Sequence, residues 1–164
     1  MTSQVQIWTC AAHHSVFRCG GWASVRLSAG LVTGVAGGER NTTARRMALA
    51  GLVAALRDLP SADSSSSAGL VRVHTTSPEL AAFAGFLADS AAGASPDEDL
   101  DLWAQIVTAA KGRRLDLVRA PVHPGSPMAF AAAWADLGMD KAKARGPFTA
   151  AIPKPNLAQV RGLG

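Results

Sequence analysis

Between Gly20 and Leu59 the hydrophobic period changes once, from two to 3.6, and that change narrows the folds open to the chain. Gly20 to Leu27 alternates, with Trp22, Ser24 and Arg26 on one face and Ala23, Val25 and Leu27 on the other. Leu31 to Gly38 reads as a further strand, and the three residues Ser28-Ala29-Gly30 close the two into a hairpin. Thr42 or Thr43 then supplies an N-cap hydroxyl for an orphaned amide. Met47, Leu49, Leu52, Val53, Leu56 and Leu59 follow at helical spacing up to Pro60.

The rest of the chain repeats the alternation of strand and helix. Val5 to Thr9 predicts a first strand, and Leu70 to Thr75 a fourth beyond a serine-rich linker, Ser61 to Ser67. Pro78 opens a helix with Leu80, Phe83, Phe86 and Leu87 on one side. After a small, acidic loop from Ala91 to Asp99, Leu100 to Val107 starts another helix that ends near Gly112. Leu115 to Arg119 is a fifth strand, Pro121 to Pro127 a loop, and Met128 to Leu137 an alanine-rich helix closed by Gly138. The order βββ-α-β-α-α-β-α specifies an α/β domain on one five-stranded mixed sheet flanked by helices.

With 164 residues, 48% hydrophobic and 17% charged, the chain suits one folded domain. No apolar run is long enough to span a membrane, and the first residues resemble no signal segment, so a cytoplasmic protein is expected. Cys10 and Cys19 are too few for a disulfide framework. The net charge of +4 has a definite location. Lys141, Lys143, Arg145, Lys154 and Arg161, against Asp140 alone, account for all of it, and residues 1–139 are neutral. We therefore expect a domain over 1–139 and a basic, proline-containing tail over 140–164, with Pro147, Pro153 and Pro155. A neutral body argues against strong nonspecific nucleic-acid affinity.

Several pieces stand together in a recognisable order: Gly20-Gly21-Trp22, Thr42-Thr43 with Arg46-Met47 and Leu49, Thr75 and Ser77, Asp101-Leu102-Trp103, and His123 with Gly125. From about Val5 to Met139 the chain resembles type 1 ribonuclease H. The resemblance implies the ribonuclease H-like fold. It also implies a site in which Asp and Glu side chains hold two Mg²⁺ ions against an RNA strand paired with DNA. By the same resemblance the acids would fall at Cys10, Ala48, Thr76 and Ala133, none of which is acidic. Asp136, three residues beyond Ala133, is the one carboxylate that a slipped loop would restore, and His123 corresponds to the family's mobile loop base. No metal site is expected, and Mg²⁺ or Mn²⁺ enters only if displaced ligands exist. Where the family carries a basic protrusion, this chain has an acidic loop. Thr43, Arg45 and Arg46 remain beside a helix N-terminus, a natural place for phosphate.

Other groupings invite sharper readings. Cys10, His13, His14 and Cys19 have zinc-ligand residue types, although a relaxed loop with a buried thiol accounts for them more simply. His74 shares a strand face with Thr76 and would form a Cys–His pair if it met Cys10. Arg113-Arg114 reads as solvated surface, and Trp8, Trp22, Trp103 and Trp134 as core or interface. The last helix, with Phe130 and Trp134 one turn apart, is apolar enough to imply burial against a partner such as a second copy. The leading expectation is a ribonuclease H-like protein without nuclease activity, serving as a module that weakly binds RNA–DNA hybrid or other nucleic acid, or a protein. The alternatives are an active metal-dependent ribonuclease H working through displaced ligands, and a structural homodimer unit.

Overall fold

The computed structural model describes residues 4–59, 69–88, 96–111 and 113–163. The serine-rich linker and residues 91–95 of the acidic loop lie outside them, as do the side chains of Phe86 and Leu87. The strands are β1 (Val5–His14), β2 (Cys19–Ser28), β3 (Leu31–Glu39), β4 (Leu70–Thr75), β5 (Arg114–Arg119) and β6 (Phe148–Ala151). The helices are α1 (Ala44–Leu56), α2 (Pro78–Ala88), α3 (Leu100–Ala110), α4 (Pro127–Arg145) and α5 (Lys154–Leu157). They form a mixed sheet in the order β5-β4-β1-β2-β3-β6. β1, β4 and β5 run parallel, and the β1–β2, β2–β3 and β3–β6 pairs are antiparallel.

The alternation in β2 fixes the two faces. Trp8 pairs with Val25 and Cys10 with Ala23, and all four pack with Met128, Ala131 and Ala135 of α4. On the other face Ile7, Val71 and Val73 pack with Leu49 and Leu52 of α1, Leu80 and Phe83 of α2, and Leu102, Trp103 and Ile106 of α3. Trp8, Trp22 and Trp103 are buried, and Trp134 packs partly buried against the α4 core, so all four tryptophans take core places. Ser24 and Thr9 are polar groups in the α1 core. The Ser24 hydroxyl donates to Gly51 O at 2.6 Å and lies 3.0 Å from Thr9 Oγ1, within reach of the Thr9 hydroxyl proton, which offsets their desolvation. α1 begins as its sequence indicates, with the Thr43 hydroxyl accepting the Arg46 amide.

Two expectations are corrected. The sheet has six strands rather than five, because Phe148–Ala151 pairs with Val35–Gly38. A four-residue segment is too short to display alternation, and only an open sheet edge makes it a strand. The segment expected as a tail is also built into the fold. α4 does not stop at Gly138 but continues to Arg145, Ala142 is fully buried, and Ile152 and Leu157 join the α4 core. Pro147 and Pro153 lie between these elements, with Pro153 as the N-cap of α5, so they mark boundaries rather than flexibility.

Gly138 explains why α4 runs on. A Cβ there would lie 2.3 Å from Gly37 O, and one on Gly21 would lie 2.2 Å from Ala135 O. The helix backbone rests directly on the backbones of β2 and β3, which only glycine permits. Among the described residues no helix is long and apolar enough to cross a membrane.

Candidate functional site

The carboxyl ends of the parallel strands β1 and β4 meet the first turn of α4. Thr76 follows β4 directly, and its hydroxyl lies 3.8 Å from Cys10 Sγ. The same sulfur lies 3.2 Å from Met128 Sδ and donates toward Met128 O at 3.7 Å. Cys10 is 4% exposed. Burial raises its pKa above the ordinary 9.0, the Thr76 hydrogen bond lowers it, and the charge of Asp136 raises it. The thiol is therefore neutral at pH 7. Thiol, thioether and hydroxyl are poor partners for Mg²⁺, which takes hard oxygen ligands in an octahedron. The side chains gathered here do not fit a pair of such ions.

Cys10 and Thr76 are thus brought together, and the other two positions are not. Ala48 is 3% exposed in the core on the α1 side of the sheet, where its methyl offers no ligand atom. The buried residues of α4 are Met128, Ala131, Ala135, Gly138 and Ala142, spaced three and four apart. Ala133 is exposed. It lies about 200° round the helix from Ala131, at 100° per residue. Ala132, like Phe130 and Trp134, packs partly buried against the Cys10 core, whereas Ala133 does not. Asp136 stands one turn beyond Ala132 and is exposed. His123 lies in the exposed loop before α4, where its carbonyl accepts the Ser126 amide.

The Cys–His pair does not form. His74 pairs with Trp8 and stacks on its ring at 5.2 Å and 8°, and its Nε2 meets Gln6 Oε1 at 3.1 Å. Burial lowers its pKa below 6.5, as does Arg72, while Asp116 raises it. The zinc reading fails on strand geometry. β1 extends through the supposed loop to His14, so successive side chains point to opposite faces. His13 turns away from Cys10 and bonds Thr42 O at 2.9 Å. Among the described residues no group of three or more His, Cys, Asp or Glu could hold a metal ion.

The arginines expected to meet phosphate are engaged elsewhere. Arg46 Nη2 donates to Asp101 Oδ2 at 2.8 Å, and Nη1 donates to Asp101 Oδ1 and Asp99 Oδ1, both at 3.1 Å. Its Nε reaches Glu39 Oε2 at 3.4 Å, and Arg45 Nε lies 3.8 Å from Asp99 Oδ2. The Asp101 hydrogen bond holds the guanidinium well above its ordinary pKa, with Asp99 and Glu39 adding to it, and Arg46 in turn depresses the Asp101 carboxyl. The acidic residues before and within α3 therefore neutralise the two arginines at the start of α1. No local signal connects position 46 with positions 99 and 101, so the sequence alone could not expose this cluster. Thr43 is exposed, but its hydroxyl caps α1.

No protein-family model matches the chain, and no curated protein does. Solved structures do. The N-terminal ribonuclease H domain of rv2228c from Mycobacterium tuberculosis, solved as a fusion with maltose-binding protein, superposes with a TM-score of 0.61 at 19% identity. That likeness covers 88% of this chain and 98% of that one. LC9-RNase H1, a type 1 enzyme with the type 2 active-site motif, gives 0.64 at 17% identity over 99% of this chain and 83% of its own. LC11-RNase H1, solved in complex with RNA/DNA hybrid, gives 0.57 at 18% identity, covering 84% and 98%. Sheet order, the helix on each face and these superpositions agree, and the chain has the ribonuclease H fold.

Proposed function

We propose that this protein is a nucleic-acid-binding module on a ribonuclease H fold, without hydrolytic activity toward RNA–DNA hybrid. The observation that carries the reading is the closure of Cys10 onto Thr76 and Met128. Where two-metal chemistry needs carboxylates, the chain supplies a neutral thiol, a hydroxyl and a methyl, and nothing there would hold an attacking water against a phosphate. The hybrid held by LC11-RNase H1 makes RNA–DNA hybrid the natural first ligand to test. Binding rests on positive charge outside the Cys10 pocket. At the start of α1 little is left for it, since the Thr43 hydroxyl caps the helix and Arg45 and Arg46 both lie against carboxylates. A protein partner is the other role open to such a module, and a cytoplasmic location accords with either.

The alternative, an active enzyme with displaced ligands, draws on one observation: Asp136 lies close enough to raise the Cys10 pKa. One sample decides between them. Hybrid titrated at low salt and then incubated with Mg²⁺ or Mn²⁺ is expected to bind and stay intact. Cleavage that disappears in Asp136→Ala would establish the alternative, and no binding at low salt would remove the nucleic-acid role. A homodimer through the outer face of α4, where Leu137 is 49% exposed, predicts a dimer in sedimentation and a monomer for Leu137→Lys.

A further inference from the structure

Part of the positive charge of this chain lies beside an exposed aromatic ring at the end of the β1–β2 hairpin. Phe17, at the tip of the β1–β2 hairpin, is 56% exposed. The Lys143 ammonium lies over its ring, 3.6 Å from the centroid. Arg40 donates from Nε to Ala142 O at 2.9 Å and from Nη2 to Lys143 O at 2.8 Å, which ties the β3–α1 loop to the last turn of α4. The Thr42 amide donates to Arg18 O at 3.0 Å, so the hairpin tip is tied to the same loop. Arg18, Arg40 and Lys143 thus share one surface, while Lys141 and Arg145, each two residues from Lys143, lie about 200° round α4 from it, with Lys141 over the Phe148 ring at 5.8 Å. Among the described residues none of these five cations pairs with a carboxylate, although Asp140 lies within the same helical stretch.

The attraction of a helix C-terminus for cations accounts for Lys143 and Arg145. It accounts for neither Phe17 nor Arg18, which belong to a different element. An exposed phenylalanine by itself means little. Here its ring lies among cations from three elements, the combination by which proteins hold single strands, with phosphates neutralised and a base stacked on an aromatic face. The apolar content, Phe17 with Val16 beside it, is too small for the broad apolar face that lies in a membrane surface.

We infer that the tip of the β1–β2 hairpin and the C-terminal end of α4 form a binding surface for single-stranded nucleic acid, with Phe17 as the stacking platform and Lys143 as the principal phosphate contact. This rests on the reading of the chain as a nucleic-acid-binding module. It moves the contact from the neutralised arginines of α1 to a separate, unpaired basic surface.

The test uses the full chain and a labelled deoxythymidine oligonucleotide of about 12 nucleotides, followed by fluorescence anisotropy across a salt series. Phe17→Ala is expected to weaken binding roughly tenfold. Lys143→Glu is expected to weaken it similarly and to reduce the slope of log K against log salt by about 0.7 or more. Lys111→Glu, the same charge change at the far end of α3, should leave that slope near the wild-type value. If both patch variants bind as Lys111→Glu does, the surface is refuted while nucleic-acid binding stands. If the wild-type protein binds neither oligonucleotide nor hybrid at low salt, the underlying reading falls with it. Capture on anionic phospholipid vesicles without oligonucleotide affinity would overturn the inference in favour of a lipid surface.

Discussion

Replacing Gly138 with alanine sets two effects of opposite sign against each other. Alanine is the better helix former, and at an exposed site inside a helix the change would stabilise by about 1 kcal/mol. At Gly138 the new methyl would lie 2.3 Å from Gly37 O and 3.2 Å from Gly37 C. A relaxed contact needs about 3.5 Å, so α4 and β3 must part by roughly 1 Å. No rotamer change relieves this, because both partners are backbone. The helix is also seated a turn earlier on Gly21, where a Cβ would meet Ala135 O at 2.2 Å, so it cannot tilt away cheaply. Overpacking of a core costs about 1 to 3 kcal/mol, and a backbone-on-backbone clash belongs at the upper end. Subtracting the helix gain leaves a net destabilisation of about 2 kcal/mol, or about 4 to 8 °C in Tm for a chain of this size. Urea unfolding followed by tryptophan fluorescence measures it directly. An increase in stability of about 1 kcal/mol, as propensity alone requires, would refute the close seating of α4 on the sheet.

Other expectations follow from the site. Because the folded pKa of Cys10 is raised above 9.0, its neutral form contributes stability that is fully present below pH 9 and is lost as pH rises through the folded value. Wild-type protein should lose stability between pH 8 and pH 10 faster than Cys10→Ala, and equal slopes would contradict a buried neutral thiol. His74 is lowered below 6.5, so stability is complete above that pH and declines as pH falls beneath it. An NMR titration of its ring should place the midpoint below 6.5, and a midpoint at or above that value would exclude the stacked, desolvated imidazole. Arg46→Met removes the hydrogen-bonded partner of Asp99, whose side chain is 14% exposed, leaving it only the longer contact with Arg45, and should destabilise by about 1 kcal/mol, less in concentrated salt. Hybrid affinity should change little in that variant, and a large loss would return Arg46 to a phosphate-contacting role.

What could be read from the sequence concerned short-range chemistry. The β2–β3 hairpin, the Thr43 cap of α1 and the alternation that sends Trp22 and Ser24 to one side of the sheet are each set by neighbours within a few residues. The absence of carboxylates at Cys10, Ala48 and Thr76 is equally plain, since it is a matter of residue identity. The tertiary structure decided what depends on separate elements meeting. The sequence of α4 reads as a helix that stops at glycine, and only the closeness of Gly37 turns Gly138 into a packing residue that lets the helix run on to Arg145. Phe148–Ala151 has no strand signal until β3 offers it an edge. Arg46 looks like a phosphate ligand until Asp99 and Asp101, more than fifty residues away, take its donors. The patch around Phe17 brings together cations from three distant stretches of chain. Local periodicity and capping act over about one helical turn, whereas charge neutralisation and close packing act through space, and the latter two decide which of this chain's charged side chains are already engaged.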